Sequence, residues 1–197
     1  MKIIFFLTYH IERILSMIHT NIIKLGKGIT IGKNSVVYYR SHCYNYSKNG
    51  YISIGENCNI GRTKHGYHTG MPFYTTILND GGSSCLVIGN NCRINGAYIH
   101  SKKKIEIGDN CVMAANVNIM DSNAHKVVSS NRTMERDTSH EIIIGNNVWI
   151  GTNCIILKGS IIGDNSVIGA GCVVKGRIPA NSVVTQGTLM VSEIIQK

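Results

Sequence analysis

The chain has 197 residues, 43% of them hydrophobic and 16% charged, with 21 glycines and two prolines, a balance that agrees with one soluble domain. The formal net charge of +9 raises the question of a nucleic-acid partner. However, the Lys and Arg are scattered and no DNA- or RNA-binding motif interleaves them, so no nucleic acid is expected and a polyanionic small molecule suits the charge equally. Seven cysteines are an odd set without a Cys-x-x-Cys pair, which argues against a disulfide scaffold or structural zinc and for a reducing, cytoplasmic setting.

Residues 1–21 carry Ile3, Ile4, Leu7, Ile11, Ile14, Leu15 and Ile18 at helical spacing, with Glu12 and Arg13 opposing them, and predict an amphipathic α-helix. Its apolar run is too short for a signal peptide, is interrupted by Tyr9-His10 and precedes no small-residue cleavage site. It also cannot span a bilayer. Two readings remain: a helix that caps the open first coil of a repeat stack, or a peripheral membrane contact.

From residue 22 the chain is a repeat. Ile-Gly-x-Asn recurs at Ile31, Ile54, Ile88, Ile107, Ile144 and Ile162, and between Ile144 and Val174 aliphatic residues stand six apart without a slip. A period of six fits neither a helix face nor a long alternating strand, so it describes short extended segments separated by turns. Three segments close a coil, and stacked coils bury one continuous core. The aliphatic residue points inward, and the glycine after it is expected where the backbone bends without a Cβ. The Asn two places on suits a left-handed turn. A small inward residue follows, as at Ser35, Cys58, Cys92, Cys111, Cys154 and Cys172. Those cysteines read as core, so Cys111→Ser or Cys172→Ser is expected to cost stability by burying a hydroxyl in need of a partner. Cys43 and Cys85 fall outside the register. The pattern lapses at 61–84, which carries Tyr67, Phe73 and Tyr74, and at 123–141, and both stretches read as extruded loops. Lys102-Lys103-Lys104 reads as solvated loop.

Three segments in order, Ile119-Met120-Asp121-Ser122-Asn123-Ala124-His125, Ile144-Gly145-Asn146-Asn147-Val148-Trp149-Ile150-Gly151 and Ile168-Gly169-Ala170-Gly171, resemble the hexapeptide-repeat acyltransferases, particularly the maltose, galactoside and polysaccharide O-acetyltransferases. The resemblance covers 88–184 well and implies an all-β left-handed parallel β-helix (22–197) behind the helix of 1–21. It implies a cytoplasmic homotrimer with acetyl-CoA as cosubstrate, no metal, and a saccharide acceptor such as a surface-glycan precursor. His125 matches the catalytic histidine of the family. A neutral imidazole is the group needed to take a proton from a sugar hydroxyl, which is too weak an acid to attack a thioester unaided. Asn95 matches an asparagine beside the acceptor, while remaining readable as a turn residue. Asp121 either steers the imidazole, hydrogen-bonds a sugar, or is a turn carboxylate.

Trp149, Gly151, Thr152, Gly169 and Ala170 match positions lining the coenzyme A groove between subunits. Lys175 stands one residue off the usual lysine, and the segment that closes the stack in the family is replaced by Gly187-Thr188-Leu189-Met190-Val191. Lys158, Lys175 and Arg177 are therefore the candidates for the coenzyme phosphates. The rival functions are a silent trimeric scaffold, an acetyltransferase of a xenobiotic hydroxyl, and a metal-dependent hydratase through His100 and His125.

Overall fold

The computed structural model describes residues 2–61 and 69–186, the side chains of 2–7 excepted. After the helix Lys2–Lys24 the chain winds into a left-handed prism of three parallel walls. The first wall holds Ile29–Ile31, Tyr51–Ile54, Cys85–Ile88, Lys104–Ile107, Ile142–Ile144, Ile161–Ile162 and Arg177–Ile178. The second holds Val36–Val37, Asn59–Ile60, Arg93–Ile94, Val112–Met113, Trp149–Ile150, Val167–Ile168 and Val183–Val184. The third holds His42–Asn45, Thr76–Asn79, Tyr98–Ser101, Asn118–Met120, Ile155–Leu157 and Val173–Val174. One coil visits the three walls in that order, turns three corners, and pairs in register with the coil above it, as in Ile105↔Ile142 and Ile150↔Ile168.

The repeat residues do what the period requires, with one change of reason. Ile54, Ile88, Ile107, Ile144 and Ile162 are buried in a single core that runs the length of the stack. The left-handed residue of each first-to-second corner is the asparagine, with φ of 58° at Asn57 and 57° at Asn91. The glycine before it does not supply the bend, because Gly55 and Gly89 have ordinary φ. A Cβ on Gly55 would stand 2.7 Å from the carbonyl carbon of Gly89 one coil on, so glycine is needed for close stacking. The asparagines also form a ladder between coils, with Asn91 Nδ2 donating to Asn110 Oδ1 at 3.2 Å and Asn147 Nδ2 to Asn165 Oδ1 at 3.1 Å.

Cys58, Cys92, Cys111, Cys154 and Cys172 are all buried. Their thiols are not merely fillers. Cys58 Sγ donates to the Gly89 carbonyl at 3.0 Å and Cys111 Sγ to that of Gly145 at 3.1 Å, as Ser35 Oγ does to Gly55 at 2.6 Å. Cys43 belongs to the core too, buried on the third wall, whereas Cys85 is half-exposed on the first.

Two element boundaries differ from expectation. The helix continues to Lys24, three residues past its predicted end. The stretch 61–84 is not one loop, because Thr76–Asn79 is a strand paired to Cys43 through Ile77 and to Tyr98–Ser101. The pattern is hidden there because the inward position after Ile77 is the fully buried Asn79. Its amide donates to Asn45 Oδ1 at 2.9 Å and to the Ser84 carbonyl at 3.0 Å, replacing an aliphatic residue by a hydrogen-bonded one. The first excursion therefore leaves the second-to-third corner of coil two at Gly61 and rejoins at Thr76. The second leaves the third-to-first corner after Met120 and rejoins at Ile142.

Candidate active site

The second excursion is tied to the stack by side chains the repeat does not predict. His125 and Arg136 form an antiparallel bridge, with Asp137 N–H donating to the Ala124 carbonyl at 3.2 Å and Lys126 N–H to that of Glu135 at 3.3 Å. Asp137 then pins the bridge to coil five. Its carboxylate accepts from the Lys158 ammonium at 2.6 and 2.5 Å and from Asn123 N–H at 2.8 Å. Burial pushes this carboxyl up, but the hydrogen bonds from Lys158 and Asn123 outweigh it and hold the group below the usual carboxylate range. Lys158 also donates to the Thr138 carbonyl at 3.0 Å. It is committed to the loop, which corrects its reading as a phosphate ligand.

Ala124 adopts φ 63° and His125 follows it at the loop surface, its N–H donating to the Asn123 carbonyl at 2.7 Å. The imidazole Nδ1 lies 2.7 Å from the Arg132 carbonyl and 3.3 Å from Arg136 Nη1. One nitrogen cannot donate to the carbonyl and accept from the guanidinium, and the shorter contact to an obligate acceptor decides the tautomer: Nδ1 carries the proton. Nε2 has no hydrogen-bond partner among the described residues.

Asp121 resolves the other way. It is fully buried and accepts from the N–H groups of Lys102, Lys103 and Lys104 at 2.8, 2.8 and 2.9 Å and from Ser101 Oγ at 3.2 Å. It is the carboxylate that folds the turn under the second excursion and is spent on that task. Lys102 of that turn pairs with Asp80, which also holds His100 Nε2 at 2.8 Å. Burial raises the Asp80 carboxyl, and the His100 and Lys102 hydrogen bonds lower it further than that. His100 is thereby committed to a carboxylate, and no group of three or more metal-ligating side chains occurs among the described residues.

The remaining site candidates divide between two corners. Asn95, Gly151 and Gly169 stand in one column at the second-to-third corner: Asn95 N–H donates to Met113, Gly151 N–H to Ile168 and Gly169 N–H to Val184, each one coil on. Thr152 and Ala170 follow at the same corner. The Asn95 side chain is half-exposed and hydrogen-bonds no other described residue. Trp149 stands 55% exposed on the second wall, between Val112 and Val167 in register. Gly151 has a packing reason as well, since a Cβ there would lie 2.7 Å from Ala170 N. Thr152 Oγ1 donates to the Ala115 carbonyl at 2.8 Å.

Lys175 does not join this group, because it is exposed at the end of the third wall, on the side of the His125 excursion. Within one chain, then, His125 and Lys175 occupy one corner while Asn95 and the Trp149 cluster occupy another. Of the loop aromatics, Tyr74 Oη accepts from Arg40 Nη1 at 3.1 Å, under a guanidinium that also covers Tyr39, so it packs back on the stack. Phe73 is half-buried. Tyr67 and the segment Gly187-Thr188-Leu189-Met190-Val191 lie outside the described residues.

Comparison with known proteins completes the picture. A model of the bacterial transferase hexapeptide (six repeats) matches residues 141–176, and one of the hexapeptide repeat of succinyl-transferase matches 51–62. WbbJ of Escherichia coli K12, named as a lipopolysaccharide biosynthesis O-acetyl transferase, is 31% identical over 167 residues, 75% of this chain and 76% of that protein. The chain belongs to the hexapeptide-repeat acetyltransferases. Galactoside O-acetyltransferase of E. coli K12 is 36% identical over 133 residues, which are 68% of this chain and 52% of that enzyme. Among solved structures, a mutant of AntD, an N-acyltransferase from Bacillus cereus in complex with dTDP and coenzyme A, superposes with a TM-score of 0.62. It covers 83% of this chain and 81% of that one at 19% identity, a likeness of fold alone. The matched 141–176 segment of this acetyltransferase contains Trp149, Gly151, Thr152, Gly169 and Ala170.

Proposed function

We propose that the protein transfers an acetyl group from acetyl-CoA to a saccharide hydroxyl, with His125 as general base, and that its active form is a homotrimer. The observation that carries the reading is the His125 imidazole, proton fixed on Nδ1 by the Arg132 carbonyl and Nε2 open, in a chain that belongs to an acetyltransferase family. A lipopolysaccharide or other surface-glycan precursor is the preferred acceptor, given the relative named for lipopolysaccharide biosynthesis. A cytoplasmic location goes with the use of acetyl-CoA.

The separation of the candidates between two corners supports the trimer. A cyclic interface is heterologous and joins two different patches of one surface. Setting the third-to-first corner of one subunit against the second-to-third corner of the next brings His125 and Lys175 to the same groove as Asn95, Trp149 and Ala170. The exposed Trp149 with Val112 and Val167 beside it offers an apolar strip suited to the pantetheine arm, and Lys175 and Arg177 remain the cations for the phosphates. When bound, acetyl-CoA supplies an activated thioester. His125 Nε2 takes the acceptor's hydroxyl proton as the new O–C bond forms and gives it to sulfur as the C–S bond breaks, leaving acetylated acceptor and free coenzyme A. Asn95 orients the acceptor hydroxyl.

The test is release of free coenzyme A from acetyl-CoA across a panel of free, nucleotide-linked and lipid-linked sugars, comparing wild type with His125→Ala. Acceptor-dependent release is expected, lowered about 10²- to 10⁴-fold by the substitution with an unchanged melting temperature. Near-normal turnover in the variant removes His125 from the mechanism, and absence of coenzyme A binding to the wild type removes the function.

A further inference from the structure

The N-terminal helix packs by its polar side. Ser16 Oγ accepts from Tyr39 N–H at 2.9 Å and Thr20 Oγ1 from Val37 N–H at 3.0 Å, and His19 Nε2 lies 2.8 Å from the Ser41 carbonyl. Val36 and Tyr38 donate instead to Cys58 and Ile60 of the second coil, so the two N–H groups met by the helix point out of the open end of the stack. The helix lies across that end and closes the unpaired edge. This is the capping role, achieved with the hydroxyls of Ser16 and Thr20.

The opposite side of the helix is apolar and uncovered. Ile11, Ile14, Ile18 and Ile22 are each more than half exposed, as is Leu25 just beyond. At helical spacing these residues occupy one stripe about 100° wide. Along one flank of the stripe, Arg13 and Lys24 line a cavity of about 360 Å³ with Thr20, Asn21, Asn34 and Ser35. Neither cation has an ion-pair partner among the described residues, and the only acid of the helix, Glu12, is half-buried.

We propose that this end of the molecule docks on an anionic phospholipid bilayer. The isoleucine stripe enters the acyl boundary, and Arg13 and Lys24 receive a lipid phosphate in the cavity between the helix and the first coil. Among the described residues no helix is long and apolar enough to cross a membrane, and an amphipathic helix of this kind lies in the interface plane. Charge decides for a membrane over a second copy: the stripe is flanked by cations on a chain of net charge +9, and end-to-end pairing would bring those cations together. Orientation agrees, since the stripe faces along the stack axis, away from the side walls that a cyclic assembly would use. The inference does not rest on the acetyl-transfer reading.

The experiment is co-sedimentation of the full chain with phosphatidylcholine vesicles, with and without one-third phosphatidylglycerol, alongside light scattering of the protein alone. Binding is expected to the anionic vesicles and to weaken as salt rises. Arg13→Ala/Lys24→Ala should lower partitioning roughly thirtyfold. Ile14→Asp/Ile18→Asp should lower it more than about a hundredfold. Melting temperatures are expected to stay at the wild-type value, because these side chains leave the capping bonds intact. Three results would each overturn the proposal: no binding of the wild type to anionic vesicles, equal binding by the Asp variant, or a larger assembly in lipid-free solution that the Asp variant abolishes. The last would assign the stripe to a second copy of the chain.

Discussion

Asp137→Ala should detach the loop that carries His125 while sparing the stack. The carboxylate accepts two bonds from the Lys158 ammonium and one from Asn123 N–H, and its removal leaves Lys158 with the Thr138 carbonyl alone. Deleting a hydrogen-bonded ion pair of this kind costs about 1.5–3 kcal/mol. None of residues 122–141 contributes to the buried core, so the cost falls on the closed state of the loop and not on global unfolding. At about 1.4 kcal/mol per factor of ten, the ratio of anchored to released loop falls roughly tenfold to hundredfold, and kcat/KM falls with the anchored fraction. The melting temperature should move by no more than a few degrees. The assay is steady-state coenzyme A release by the wild type, Asp137→Ala, Lys158→Met and the double variant. A double variant no worse than either single establishes the pair as the unit. A kcat/KM of Asp137→Ala within twofold of wild type, or losses that simply multiply in the double variant, would refute the reasoning. The pH dependence follows from the sign of the shift. The folded carboxyl is held below its unfolded value near 3.9, so the contribution is present above that value and is lost as pH falls through the depressed one. Any loss of kcat/KM above about pH 5 therefore arises elsewhere.

Asp121→Ala is expected to behave in the opposite manner, because it strips the acceptor from three backbone N–H groups and a serine in a fully buried turn. A loss of about 3–5 kcal/mol, seen as a fall in urea midpoint, is expected; inactivation at unchanged stability would return Asp121 to the chemistry. Cys111→Ser should cost only about 1 kcal/mol, a shift of roughly 2–4 °C in melting temperature. The Gly145 carbonyl is in place to accept its hydroxyl, as Gly55 does for Ser35. A loss above about 3 kcal/mol would show that the serine cannot make the bond.

The stack was legible because every coil meets the same constraint at the same position. An inward Ile, a glycine with no room for a Cβ, a left-handed Asn and a small inward residue, a Ser or Cys donor in every coil but the one with Val148, recur, and recurrence is what a single sequence can display. His125 became a candidate for a different reason, its place in a resemblance. The strand Thr76–Asn79 was not, because its inward Asn79 satisfies the core by hydrogen bonds to Asn45 and Ser84, partners that only the folded coils supply. Asp121 was ambiguous until its three N–H donors, 17 to 19 residues earlier, converged on it. Amphipathicity established that the N-terminal helix has an apolar stripe, yet both sides of such a helix can find a partner. The hydroxyls of Ser16 and Thr20, matched to two edge N–H groups, turned the stripe outward. The sequence by itself thus determined the period, the coil, the inward residues and a candidate base. The tertiary structure alone decided which groups the His125 ring nitrogen meets, the Asp137–Lys158 anchor and the placement of the site candidates at two corners. These contacts are each made once, between residues far apart in the chain, and leave no period to read.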